Sequence, residues 1–359
     1  MLASDRMLTR LHITIPKHDA EKESTAMKKL PFIRIFAGAR HLGLALSLVM
    51  LMGAPAMSQG KYPAGPIELI VAFAPGGGAD AAGRSLAPYL SKYLGVPIAV
   101  KNVPPPRTGE DVFSRSKPDG YTIGVMAAVS VVSDETFFKV RFRGRDFVWI
   151  ATNAATPGAI FANAKGPVQK FQDLIKVGAQ RPVKIGAFSM YSSTTIATIM
   201  TLEEKKIPYT FVTGFQGAAP AMTSLMRGEV DIVGTTFGSA SAYQKSGDVK
   251  PILLVQSDPD AEAPDAPTLE QAGLPPSIGY LGAVTYALLA PPGTPNAIRD
   301  VLAAAHKKAV EDPQYHAQLQ KAGFRLSNVP PDKVQQWLNN IYDAYAKVKP
   351  KIEAQTKKE

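Results

Sequence analysis

A glycine-rich turn close to residue 75, between an apolar run and a helical segment, constrains the fold of this chain most strongly. Residues 67–73 are apolar except for Glu68 and include three β-branched side chains, which predicts a buried strand. Pro75, Gly76, Gly77 and Gly78 end this strand, and Asp80 is expected to cap a helix that runs to residue 94. Such a helix start presents backbone N–H groups and a positive dipole end. The turn therefore predicts a site for a small anion.

The N-terminal segment has the pattern of a secretory signal peptide. A basic stretch begins at Met27, residues 42–52 are apolar, and small residues follow at cleavage spacing. We expect removal of residues 1–58, an exported mature protein, and no membrane insertion after cleavage. A retained anchor is the alternative, although the apolar part is short for a membrane span. Residues 1–26 carry no pattern, so Met1 and Met27 both stay open as translation starts.

Composition excludes several kinds of site. The 359 residues include no cysteine, so disulfides, thiolate metal ligands and cysteine nucleophiles are absent. The formal net charge is +10, and residues 1–58 hold eight Lys/Arg and four Asp/Glu, which leaves +6 for the remainder. No basic stripe with interleaved aromatic residues is present. We therefore expect no nucleic-acid partner.

Short apolar runs alternate with helical patterns along residues 66–359. The runs predict about ten strands, at 67–73, 98–101, 121–126, 147–152, 159–161, 183–187, 209–212, 230–233, 251–255 and 285–289. The intervening patterns predict helices at 80–94, 109–117, 171–179, 194–204, 218–227, 239–245, 295–310, 314–321 and 332–347. This alternation predicts an α/β fold with mostly parallel sheets, two of about five strands each. Stretches rich in Pro and Gly at 156–158 and 273–282 are the predicted crossings between two lobes.

Seven motifs, in order across the chain, resemble the solute-binding receptors of tripartite tricarboxylate transporters, the Bug family. The motifs are Tyr62-Pro63, Phe73-Ala-Pro-Gly-Gly-Gly-Ala-Asp80, Lys117-Pro-Asp-Gly-Tyr-Thr122, Phe215-Gln-Gly-Ala-Ala-Pro-Ala221, Gly228-Glu-Val-Asp-Ile232, Pro267-Thr-Leu-Glu-Gln-Ala-Gly-Leu-Pro275 and Leu289-Ala-Pro-Pro-Gly-Thr-Pro295. The resemblance implies a type II periplasmic binding protein fold whose two mixed or parallel-sheet lobes are joined by a hinge. We expect lobe I at 59–157 and 283–359, and lobe II at 158–282.

The resemblance also implies a function. A monomeric receptor in the periplasm of a Gram-negative bacterium would close on a small carboxylate and deliver it to the membrane permease subunits of a tripartite transporter, with no cofactor. An orphan receptor that feeds a sensor kinase is the alternative, and a periplasmic enzyme is a more remote one.

The loops that follow the predicted strands are the candidate ligand site, because ligands bind beyond the carboxyl ends of strands in open α/β sheets. The candidate contacts are Phe73, Pro75, Gly76, Gly77, Gly78, Asp80, Ala128, Ser130, Ser189, Tyr191, Ser192, Ser193, Phe215, Gly217, Ala218, Thr235 and Thr236. Asp80 is expected to act as a helix cap, since its carboxylate would repel an anion.

Departures from the family pattern bear on ligand choice. Where relatives continue with a second glycine turn, this chain has Val103-Pro-Pro-Pro-Arg-Thr-Gly109, so Arg107 is a candidate anion contact, with a solvated loop arginine as the alternative. Thr235 replaces an aspartate that amino-acid binders use, which argues against an amino acid. We expect a dicarboxylate, a tricarboxylate or an aromatic carboxylate.

The motifs of common enzyme classes are absent. The glycine run lacks the spacing of a dinucleotide fingerprint, no Lys-Ser/Thr pair follows it, and no Gly-x-Ser-x-Gly occurs. Of five histidines, only His306 and His316 lie beyond the signal segment. We therefore predict no catalytic residue, no metal site and a binding protein instead of an enzyme.

Overall fold

The first strand, β1 (Ile67–Val71), is buried on both of its faces. Ile67, Leu69 and Val71 belong to one apolar cluster, whereas Ile70 belongs to the cluster on the opposite side. Side chains alternate along a strand, so β1 carries apolar groups towards helices above and below the sheet. Each such buried side chain stabilises the fold by roughly 1.5–3 kcal/mol.

The computed structural model describes residues 62–356. The signal-peptide interpretation and both candidate translation starts lie outside these residues. Among residues 62–356, no helix combines the length and the apolar character that crossing a membrane requires.

Two sheets form the framework. The first has the order β11-β4-β10-β3-β1-β2 and contains, besides β1, the strands β2 (Ile98–Asn102), β3 (Thr122–Ala127), β4 (Val148–Thr156), β10 (Val284–Ala290) and β11 (Arg325–Leu326). The second has the order β7-β6-β8-β5-β9 and contains β5 (Gly158–Asn163), β6 (Val183–Gly186), β7 (Tyr209–Val212), β8 (Ile232–Thr236) and β9 (Val249–Leu254). Pro157 alone separates β4 of the first sheet from β5 of the second.

Helices cover both sheets. They are α1 (Gly78–Leu94), α2 (Pro106–Ser114), α3 (Ala128–Phe137), α4 (Asp173–Gln180), α5 (Ser193–Glu204), α6 (Ala218–Met226), α7 (Phe237–Lys245), α8 (Gly279–Gly282), α9 (Asn296–Glu311), α10 (Pro313–Lys321) and α11 (Val334–Thr356). One apolar cluster contains residues of α1, α9 and α10, and another contains residues of α6 and α7. The largest cluster runs from α2, α3 and α11 to α5 and the second sheet, so the apolar core is continuous between the sheets.

The two-sheet α/β architecture is confirmed, and both sheets are mixed, with parallel and antiparallel pairs in each. Within residues 62–356, β10 pairs antiparallel with β3 and β4, and β5 pairs antiparallel with β8 and β9. β5 and β10 are each the first strand after the chain crosses from one sheet to the other. Each runs antiparallel to both of its neighbours in the sheet that it joins. A reading of local alternation cannot detect this reversal.

Several predicted boundaries also need correction. Asp80 is not the helix cap, because α1 begins at Gly78 with Gly77 in the N-cap position. Residues 127–130 are not a loop, since α3 begins at Ala128. Arg107 is not on a loop either; it occupies the first turn of α2, which Pro106 starts. Thr235 and Thr236 end β8 instead of following it.

Candidate functional site

Two adjoining cavities lie where helices begin beside both sheets. One, of about 370 Å³, has five aromatic side chains in its wall, and we call it the aromatic cavity. The other, of about 490 Å³, is lined by glycines and hydroxyl side chains, and we call it the hydroxyl cavity. Residues shared by both linings are Gly78, Ser192, Ser193, Val284 and Tyr286. The two cavities therefore form one continuous candidate site.

The N-termini of four helices converge on this site. Gly78 of α1, Ser130 of α3, Ser193 of α5 and Ser239 of α7 all lie in the first turn of their helix and line a cavity. First-turn N–H groups have no partner inside their own helix, and each helix dipole is positive at this end. The arrangement suits a carboxylate, which would accept these hydrogen bonds.

The three glycines before and at the start of α1 have different structural roles. Gly76 has a φ of 81°, a left-handed backbone that favours glycine. Gly77 is extended, with φ −79° and ψ 171°, and occupies the N-cap position. A methyl group added to Gly78 would overlap the hydroxyl oxygen of Tyr286. Of these three glycines, only Gly78 is required to be glycine by the close approach of a side chain that lines the site.

Asp80 fixes the turn and lines neither cavity. Its carboxylate accepts the Gly76 N–H at 2.9 Å, Arg84 Nε at 2.9 Å and Asn102 Nδ2 at 2.9 Å. Burial opposes ionisation, but the hydrogen bonds from Arg84, Gly76 and Asn102 outweigh it and hold the pKa of Asp80 below its ordinary value. The charged side chain of Asp80 thus stabilises the glycine turn without lining the candidate site.

Tyr286 reaches the same helix start from the opposite strand. It lies near the beginning of β10 and pairs with Ala127 at the end of antiparallel β3. Its side chain is buried, and burial raises the pKa of its phenol to about 12. The hydroxyl is therefore protonated at neutral pH and can donate a hydrogen bond into either cavity.

The hydroxyl side chains that follow or end the strands of the second sheet have two roles: some cap a helix, and others only line a cavity. Ser192 Oγ accepts the Thr195 N–H at 3.3 Å and caps α5, and Thr236 Oγ1 accepts the Ser239 N–H at 3.4 Å and caps α7. Ser193 and Thr235 have no such capping role, and both are buried while lining a cavity. These two are the better candidates for direct ligand contact.

Arg107 and Asp134 form an ion pair in the aromatic cavity. Arg107 Nη1 lies 3.3 Å from Asp134 Oδ1, and the guanidinium carbon lies 4.1 Å from the centre of the Phe138 ring. Glu110 lies behind Asp134 and is completely buried. Burial, together with the negative charge of Asp134, raises the pKa of Glu110 to about 8. Burial also keeps the pKa of Asp134 above its ordinary value, although Arg107 opposes this.

The structure brings most of the predicted site residues together. Those that line a cavity are Phe73, Gly76, Gly77, Gly78, Arg107, Ser130, Ser189, Tyr191, Ser192, Ser193, Thr235 and Thr236. Those that line neither are Pro75, Asp80, Ala128, Phe215, Gly217 and Ala218. The last three follow β7, the edge strand of the second sheet, which has β6 as its one neighbour and is not adjacent to β8. Ala128 faces the apolar core instead.

The predicted site does not include five residues that line the aromatic cavity: Ser133, Asp134, Phe138, Tyr286 and Tyr345. Three of them lie on or beside α3, where the sequence pattern predicts no helix and only residues 127–130 are interpreted as a loop. Tyr286 lies near the amino end of β10, whereas the rule used for the prediction considers only the loops beyond the carboxyl ends of strands.

Two sheets covered by helices, with helix N-termini around a shared cavity pair, are the architecture of the two-lobed solute-binding proteins. Sequence comparison places the chain within that class. The family described as tripartite tricarboxylate transporter family receptor matches residues 82–356, so the chain belongs to this receptor family. The resemblance inferred from the seven motifs is confirmed.

Individual relatives agree with this placement. Protein BugT of Bordetella pertussis is 26% identical over 319 residues, covering 82% of this chain and 93% of that protein. A UPF0065 protein of Cupriavidus necator, from the gbd 5′ region, is 29% identical over 301 residues, covering 80% of this chain and 88% of that protein.

Solved structures show the same fold. A TctC solute-binding protein from Polaromonas, solved without ligand, has a TM-score of 0.72 at 24% identity and covers 81% of this chain and 99% of its own. MatC of Rhodopseudomonas palustris with bound malate has a TM-score of 0.64 at 24% identity, covering 80% and 100%. An R. palustris protein with adipate has a TM-score of 0.67 at 21% identity, covering 81% and 98%.

Proposed function

We propose that this chain is a periplasmic receptor that captures a small organic carboxylate and delivers it to the permease subunits of a tripartite tricarboxylate transporter. The convergence of four helix N-termini on one cavity pair carries the proposal. Among the residues that line the two cavities, Arg107 is the one Lys or Arg, and Asp134 pairs with it. An anion in this site would therefore be held mainly by backbone N–H and hydroxyl donors.

Two relatives of the same fold support a carboxylate ligand. The structures of MatC and of the adipate-bound R. palustris protein each contain a carboxylate, although their identity to this chain is below 25%. The periplasmic location rests on the signal-peptide pattern before residue 59 and on family membership. N-terminal sequencing of the mature protein tests that location, with a start near residue 59 as the expected result.

The binding mechanism we propose is closure of two lobes, 59–157 with 283–359 and 158–282. Two groups of contacts bridge these segments beside the cavities. Ser133 Oγ donates to the Tyr191 carbonyl at 2.9 Å, and the Arg325 guanidinium lies 3.1 Å from both Asp260 and Glu262. A ligand that contacts both segments would favour the closed arrangement, because it gains contacts there that the open one lacks.

A thermal-shift screen of aliphatic and aromatic carboxylates tests the proposed function. A ligand that binds only the native state stabilises it by about 2.7 kcal/mol at a hundred times its Kd. We expect at least one acid to raise the melting temperature at millimolar concentration. If none of a broad panel does so, the carboxylate proposal fails.

Thr235→Asp is expected to lower the affinity for the best carboxylate of that screen by about tenfold or more relative to Thr235→Asn. Thr235 is buried in the hydroxyl cavity, so a carboxylate at this position would repel the ligand. Asparagine has the same shape as aspartate without its charge, which makes it the matched control. Equal Kd values for the two variants, measured by calorimetry, would show that no anion binds near residue 235.

A further inference from the structure

The aromatic cavity has a polar group at the end formed by α2 and α3. Arg107 comes from α2, Asp134 from α3, and their 3.3 Å ion pair lines the cavity. The Asp134 side chain is 12% exposed and that of Arg107 is 52% exposed, so the guanidinium is the more accessible partner. Arg107 and Asp134 thus come from α2 and α3, whereas Gly78, beside which we place the ligand carboxylate, comes from α1.

Much of the remaining lining of this cavity is aromatic. The lining includes Phe73, Phe138, Tyr191, Tyr286 and Tyr345. The rings of Phe138 and Tyr191 lie 4.9 Å apart in an edge-to-face arrangement, and Arg107 stacks on Phe138. Flat apolar surfaces of this kind favour a ligand with a ring as its body.

The charge at the Arg107 end is already balanced. Asp134 neutralises Arg107, and Glu110 places a second carboxyl group behind Asp134. Within residues 62–356, no group donates a hydrogen bond to either carboxyl oxygen of Glu110. A ligand with a second negative charge here would meet the carboxylate of Asp134, and the Arg107 charge that could balance it is already offset, which is unfavourable in a partly buried site.

An uncharged hydroxyl group matches the hydrogen-bond donors of Arg107 and the acceptors of Asp134 that their ion pair leaves unused. The guanidinium carries five N–H donors, of which its contact with Asp134 uses one, and a carboxylate accepts more than one hydrogen bond. A hydroxyl group can accept from Arg107 and donate to Asp134 at the same time.

We propose that the ligand is an aromatic monocarboxylate with a hydroxyl group remote from its carboxylate, and that Arg107 and Asp134 recognise this hydroxyl as specificity-determining residues. The inference rests on the proposed function, and it narrows the ligand from carboxylates in general to ring-bearing hydroxy acids.

Calorimetric titration with four probes tests the inference: benzoate, 3-hydroxybenzoate, 4-hydroxybenzoate and terephthalate. We expect one of the hydroxybenzoates to bind about tenfold or more tightly than both benzoate and terephthalate, because a site built for a hydroxyl rejects analogues without it. Arg107→Gln and Asp134→Asn should each lower the affinity ratio of that hydroxybenzoate to benzoate below about threefold. Arg115→Gln is the control, since this arginine follows α2 and pairs with Asp111 outside the cavities.

Circular dichroism and melting temperature of each variant establish that it is folded, and the two substitutions on different helices provide independent tests. Terephthalate binding as tightly as the better hydroxybenzoate would overturn the inference, and so would a hydroxyl preference that both variants retain. If aliphatic acids bind and none of the four probes does, the inference falls while the proposed function stands. If no carboxylate of any class binds, both fall.

Discussion

Gly78→Ala is expected to weaken carboxylate binding by about 10- to 100-fold, which corresponds to the loss of one hydrogen bond to a charged group. The added methyl group would overlap the Tyr286 hydroxyl and project at the first turn of α1, where both cavities meet. Tyr286 would have to move, and the ligand would lose either its phenol donor or its close approach to the helix N-terminus. Calorimetry with the best carboxylate of the screen measures the change.

The neighbouring glycine provides the control for this experiment. A methyl group at Gly77 meets only the Ala74 carbonyl oxygen, at 3.5 Å, which is an ordinary contact. Gly77 also has a negative φ that alanine adopts readily. We therefore expect Gly77→Ala to change the affinity much less than Gly78→Ala does. Equal losses in the two variants would mean that Tyr286 and the first turn of α1 do not hold the ligand.

Glu110→Gln is expected to change how stability depends on pH. In the folded protein the pKa of Glu110 is raised from an ordinary 4.5 to about 8, by burial and by the charge of Asp134. The folded state therefore binds the proton more tightly than the unfolded state. This stabilisation is fully present below pH 4.5 and is lost as the pH rises through 8, with a total change of roughly 3–5 kcal/mol.

Urea denaturation at pH 5 and pH 8.5 measures this effect. Glutamine stays uncharged at both values, so the variant should lose less free energy of unfolding between them than the original protein, by roughly 3 kcal/mol. Asp134 remains in the variant, and because its pKa is also raised it keeps a smaller dependence in the same direction. Glu311→Gln is the control, since that carboxyl is exposed and 4.0 Å from Lys307. Identical pH dependence in the original protein and in Glu110→Gln would show that Glu110 does not hold its proton.

Local sequence patterns predicted much of this fold, and they failed where long-range pairing decides the structure. The strand at 209–212 was predicted with its observed bounds, because an aromatic and β-branched run lies between turn residues. Helix α3 is not predicted from the sequence, and its first residues are interpreted as a loop, whereas Val129, Val131 and Val132 are helical and buried in the largest apolar cluster. Local preference gave way to tertiary packing at this position.

The candidate site was predictable to the extent that it follows the ends of parallel strands. The glycine turn after β1 and the serines before α5 were found by this rule. Tyr286 was not, because its strand runs antiparallel to β3 and brings its amino end to the same edge. Phe215 and Gly217 satisfied the rule but follow an edge strand, and strand order is set by contacts that one sequence does not display.

The central claim is that helix N-termini in this cleft hold a carboxylate by its charge. Calorimetric comparison of the tightest-binding acid with its own primary amide tests this claim most directly. The amide keeps the size and shape of the acid and retains one acceptor oxygen, but it has no charge. We predict that the amide binds at least about 30-fold more weakly, because charge-assisted hydrogen bonds are roughly twice as strong as neutral ones. Equal affinity for the acid and its amide would contradict the claim.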